Sequence, residues 1–175
     1  MANPALPEAW LRGPLEGVPP LLMPAAHALV QVREDVARAL AGLTPAELWA
    51  QPAGAASVAY HLRHLAGALD RLLTYARGEM LSEAQRAAMA AEGRPGEPPP
   101  DAAAIQADVD AAVERALAQI RSTPEGSLLD FRGVGRQQLP STVLGLTFHA
   151  AEHATRHAGQ AITTARIVRG SALAR

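Results

Sequence analysis

Apolar residues recur every three or four positions along four stretches of the chain, the period of one buried face of an α-helix. Leu22, Ala25, Leu29, Val32, Val36 and Leu40 predict a first helix over about 20–42, with Pro24 in its first turn and Gly42 at its end. Val58, Leu62, Leu65, Leu69, Leu72 and Ala76 predict a second over 58–77, opened by Ser57 as N-cap. Ile105, Val109, Val113, Leu117 and Ile120 predict a third, capped by Asp101 and running to Ser122. The fourth is expected over about 142–168, a segment rich in Ala, Leu, Ile and Thr with no proline after Pro140.

The stretches between are polar or broken. Thr44-Pro45-Ala46-Glu47 reads as an N-cap, an N1 proline and a glutamate at N3, so one or two turns should carry Leu48 and Trp49 against the bundle. Residues 82–91 suit a short extra helix, Gly93 to Pro100 a proline-rich connection, and Pro124 to Pro140 a long loop with one extended piece and no strand pair. The expected fold is therefore all-α: a four-helix bundle over residues 19–170 behind an irregular arm over 1–18, docked through Trp10 and Leu11. The two longest connections precede the third and fourth helices and leave room for a crossover topology.

Composition narrows the chemistry. A formal net charge of −1 offers no electrostatic footprint for nucleic acid or an anionic membrane. No apolar run approaches a membrane span, and the proline-broken start lacks the apolar block of a signal peptide, so a cytoplasmic protein is expected. The absence of cysteine excludes disulfides, thiolate metal ligands and a nucleophilic thiol. All sixteen basic residues are arginine, which excludes lysine Schiff bases and a P-loop.

Histidine carries what remains. His149, His153 and His157 stack on one face of the fourth helix. Two imidazoles four residues apart can bind one divalent ion, with a third ligand from elsewhere: His27, or His61 and His64 of the second helix. An interior histidine is more often a hydrogen-bonded core residue than a ligand, yet five of the six fall in two short windows on two helices. A nitrogen-only set suits zinc or nickel better than calcium or magnesium. Three such ligands leave an open position for water or substrate, whereas a fourth from His149 or His61 would close the site. Glu152 points about 100° away from His153 on the helix and reads as a solvated or second-layer carboxylate.

The segments Ser57-Val-Ala-Tyr-His-Leu-Arg-His64-Leu-Ala and His153-Ala-Thr-Arg-His157-Ala-Gly-Gln160 resemble the DinB/YfiT superfamily of small metal-binding helical bundles, over about residues 20–168. The resemblance implies His64, seven positions after Ser57, and His153 and His157 as the metal ligands, with His61 and His149 as extras. It further implies a crossover bundle, a homodimer, bound zinc or nickel, and transfer or isomerisation chemistry with a low-molecular-weight thiol such as bacillithiol, mycothiol or glutathione. Any thiolate would have to arrive with a cosubstrate, because the chain has none. Tyr60, His61, His149 and Gln160 are then the polar candidates for orienting a small-molecule substrate or moving a proton. Two functional classes follow: a metal-dependent enzyme activating a thiol (S-transferase) or water (hydrolase), and a non-catalytic stress-response binding bundle with structural histidines.

Overall fold

The computed structural model describes residues 6–173, with side chains through 170. Its helices are α1 (Met23–Leu40), α2 (Pro45–Trp49), α3 (Val58–Ala76), α4 (Glu83–Ala91), α5 (Ala102–Ser122) and α6 (Val143–Leu173). Their starts are chemically marked. Ser57 Oγ accepts from the Tyr60 N–H at the head of α3, and Asp101 Oδ1 from the Ala104 N–H at the head of α5. Thr44 with Glu47 and Ser82 with Gln85 form complete capping boxes. Gly42 and Gly78, with φ of 75° and 81°, take the left-handed conformation that ends α1 and α3.

The four long helices form an all-α bundle in which α1 and α3 each pack against both α5 and α6. His61 faces His157 and His64 faces His153, so α3 and α6 are antiparallel. Arg33 pairs with Glu114 between antiparallel α1 and α5. Arg169, late in α6, donates to the carbonyls of Ala39 and Ala41 at the end of α1, so these two run parallel. Gln119 donates to the Leu73 carbonyl near the ends of parallel α5 and α3. Parallel neighbours α3 and α5 require the intervening chain to return along the bundle, and the segment carrying α4 does so. This is the crossover the connection lengths suggest.

The core takes the periodic residues: Leu29, Val36, Leu62, Leu69, Val109 and Ile120 are all buried. On α6 the buried face is mostly alanine, at 150, 151, 154, 158, 161 and 165, and small side chains let α3 and α1 approach its backbone closely. Leu48 of α2 is fully buried and Trp49 packs beside it against the core, as the capping pattern predicts. Leu29→Ala should lower stability by about 2–5 kcal/mol through lost burial and a residual cavity. An unchanged urea midpoint would mean that this face does not pack the core.

Two expectations are corrected. Residues 131–142 form an antiparallel hairpin of β1 (Phe131–Val134) and β2 (Leu139–Thr142), pairing Phe131 with Thr142 and Val134 with Leu139. Anchoring at both ends holds it: Arg132 Nε donates to the Ala76 carbonyl, while the Val143 and Leu144 N–H groups donate to the carbonyls of Asp130 and Leu128. Those last bonds satisfy otherwise free donors at the start of α6. The arm, of which residues 1–5 lie outside the described residues, does not dock through Trp10 and Leu11, which are 62% and 56% exposed. It is held instead by buried Ala9 and Val18, by the Ala9 N–H on Gln31 Oε1, and by the Arg12–Glu34 ion pair. His27 Nε2 donates to the Gly13 carbonyl at 2.9 Å, so this histidine fastens the arm to α1. Among the described residues no helix is long and apolar enough to cross a membrane.

Candidate metal centre

Antiparallel packing of α3 on α6 brings His64 into the turn between His153 and His157, with ring centroids 5.1 and 4.5 Å away. Each of the three offers a nitrogen, and these nitrogens all lie within 4.8 Å of one another. No further His, Cys, Asp or Glu joins the group among the described residues. The cluster is partly buried at the α3–α6 seam.

Hydrogen bonds decide which nitrogens face inward. Glu92 Oε2 accepts from His64 Nδ1–H at 2.7 Å, which leaves the His64 Nε2 lone pair free. That atom lies 3.0 Å from His153 Nε2. Two nitrogens bound at 2.0–2.1 Å to one tetrahedral ion sit roughly 3.3 Å apart, so this spacing is close to what a shared ion requires. His157 Nδ1 lies 3.2 Å from His61 Nδ1, which braces the ring from the α3 side, and His157 supplies the third nitrogen of the set. His153 Nδ1, the outer nitrogen of that ring, is buried without a protein partner, so unlike His64 this ring has no protein group orienting it from outside.

The electrostatics favour ligation. Burial pushes the His157 imidazole down to about 4, with His64, His153 and His61 adding to the shift. Burial, then the neighbouring His64, also lowers His153 and His61. Neutral imidazoles, the form that binds metal, are thereby favoured before any ion arrives.

The other sequence candidates separate by position. Tyr60 stacks on His64, with centroids 5.7 Å apart and planes at 14°, and meets His61 edge-on. His61 is buried against His157. His149 lies a turn before His153, half exposed, its Nδ1 3.4 Å from Glu152 Oε2. Gln160 is exposed and makes no hydrogen bond to the cluster. Glu152 chiefly pairs with Arg156 on the surface, which holds its carboxyl below the usual range. It belongs to the solvated face.

Sequence reasoning missed Glu92, Arg71 and Gly67. Glu92 follows α4 in the crossover, is 6% exposed, and bridges His64 and Arg71, whose Nη1 donates to Glu92 Oε1 at 2.6 Å. The available signal was Arg71 itself, a charged residue seven positions after His64 on the same helix face, which demanded a carboxylate.

A sequence-family model described as the DinB superfamily matches residues 28–161. The chain belongs to the DinB superfamily. The match runs from α1 into α6 and takes in all three clustered histidines. No curated protein matches the sequence. Membership, the helical bundle and the three-histidine cluster together fit a metal-binding DinB-like protein.

Proposed function

We propose that this DinB-like protein holds one zinc or nickel ion on His64, His153 and His157 and is an enzyme acting on a small molecule, a low-molecular-weight thiol S-transferase in the first instance and a hydrolase in the second. The observation that carries the reading is the ligand count: three nitrogens converge and neither His61 nor His149 supplies a fourth. A three-histidine ion keeps a position for an exogenous ligand, as catalytic sites do and closed structural sites do not. When bound, such an ion lowers the pKa of a coordinated thiol or water and so supplies a nucleophile near neutral pH.

The chain's own residues do the rest. His64 and His157 are oriented through their outer nitrogens by Glu92 and His61. Tyr60 covers one face of the His64 ring, limiting solvent access from that side. His61, whose pKa is lowered chiefly by burial, sits against His157 and is kept neutral there. With no cysteine in the chain, the sulfur of a thiol transfer comes from the cosubstrate. The family resemblance also supports a homodimer, which sedimentation velocity would test, and a cytoplasmic location is proposed from the sequence pattern alone.

The direct test mixes metal-loaded protein with bacillithiol, mycothiol or glutathione and a reporter electrophile. Thiol conjugation should exceed that given by the His64→Ala variant. Equal rates across all three thiols and several electrophiles would overturn the transferase reading while leaving metal binding to be judged separately.

A further inference from the structure

Helix α4 and the connection after it are held against α3 mainly by polar contacts. No side chain of α4 (Glu83–Ala91) is buried. The deeply buried residue of this region is the charged Glu92, at its C-cap. Both carboxylate oxygens are used inside: Oε2 accepts from His64 Nδ1–H and Oε1 from Arg71 Nη1. Arg63 adds bonds to the backbone carbonyls of Glu92 and Arg94. Gly67 lies between His64 and Arg71 on α3, and a Cβ there would overlap Glu92 Oε1 and sit 2.6 Å from Arg71 Nη1. The missing side chain is the space the carboxylate occupies.

We infer that Glu92 is a positioning residue for the metal centre: it fixes the tautomer and ring orientation of His64, Arg71 and Gly67 hold it there, and it thereby couples metal occupancy to docking of the crossover segment. A carboxylate accepting from the outer N–H of a ligating imidazole makes the inner nitrogen a stronger, better-aimed donor. Removing such a partner typically costs about 10–100-fold in metal affinity. Because coupling is reciprocal, a ligand that draws His64 inward also steadies Glu92 and the chain on either side of it.

This inference rests on the three-histidine reading, and the experiment separates the two. Zinc affinity of the full-length protein is measured by chelator competition for wild type, Glu92→Gln, Gly67→Ala, Gln85→Ala and His153→Ala, with melting curves of each metal-free protein. Amide exchange across residues 83–95 is followed with and without zinc. Glu92→Gln should weaken zinc about 10–100-fold and remove the zinc-dependent protection of 83–95. Gly67→Ala displaces the carboxylate without removing its charge and favours the helix, so it should weaken zinc in the same direction even if Glu92→Gln folds poorly. Gln85→Ala loosens α4 from Asp70 and Thr74 without touching Glu92, and should weaken zinc by less than Glu92→Gln does, through docking alone. Wild-type affinity in both Glu92→Gln and Gly67→Ala overturns the positioning role while His153→Ala still reports the three-histidine site. A wild-type protein that binds no zinc, or a His153→Ala protein that retains it, overturns both.

Discussion

Replacing His153 by alanine should strip the protein of its metal: about one equivalent of divalent ion in the wild type should fall to background after dialysis, and His64→Ala and His157→Ala should behave alike. The magnitude follows from ligand number. Outer partners of metal-bound histidines already cost about 10–100-fold when removed, so loss of one of three direct ligands should cost more than about 100-fold. The fold should survive. His153 and His157 are partly exposed on one edge of an α6 face otherwise held by alanines, and alanine is the most favourable helix residue. His27→Ala supplies the control, because His27 bonds the Gly13 carbonyl and lies outside the cluster. Elemental analysis of untagged protein decides the matter: a full equivalent retained by His153→Ala would show that the ion sits elsewhere.

What could be read from the chain before its structure follows from how local each determinant is. The long helices were legible because their apolar period spans many turns and because Ser57 and Asp101 place capping oxygens at the heads of α3 and α5. Two of the proposed ligands, His153 and His157, sit four apart on one helix, a spacing that can be read within a single turn. The hairpin was illegible for the opposite reason. Each strand has four residues, Gly133 and Pro140 face one another across it, and Gln138 in the turn has a φ of 51°, so no local preference announces strands. Its register comes from contacts with α3 and α6. Glu92 was hidden by distance, since it lies 28 positions from His64 in a connection whose prolines and glycines draw no attention to one carboxylate. The misplacement of Trp10 and Leu11 has another physical cause. A short arm can dock through backbone bonds and small residues such as Ala9, leaving its largest side chains in solvent.

Acid should release the metal, and the same protonations should weaken the metal-free fold. An imidazole must be neutral to ligate, and an unperturbed one titrates near 6.5. Burial holds His157 at about 4 and lowers His153 and His61, so in the folded protein these rings resist protonation over a range where unfolded chains accept it. Between about 6.5 and about 4 the unfolded state therefore binds more protons than the folded one, and stability rises with pH across that window. The contribution is fully present above 6.5, is lost progressively as pH falls, and is exhausted below the folded value of about 4. Metal retention should follow the same direction, holding at neutrality and vanishing by about pH 4, with the loaded protein more stable than the metal-free one at every pH where the ion stays bound. Chelator-free dialysis across pH 7.5 to 3.5, read by elemental analysis, and urea denaturation of metal-free protein over the same range provide the checks. An ion retained in full well below pH 4, where protons compete hardest for these rings, would point to a ligand set other than these three imidazoles. A metal-free stability that stays level from pH 6.5 to 4 would show that the rings are as solvated in the folded chain as in the unfolded one, and that the site is not preformed.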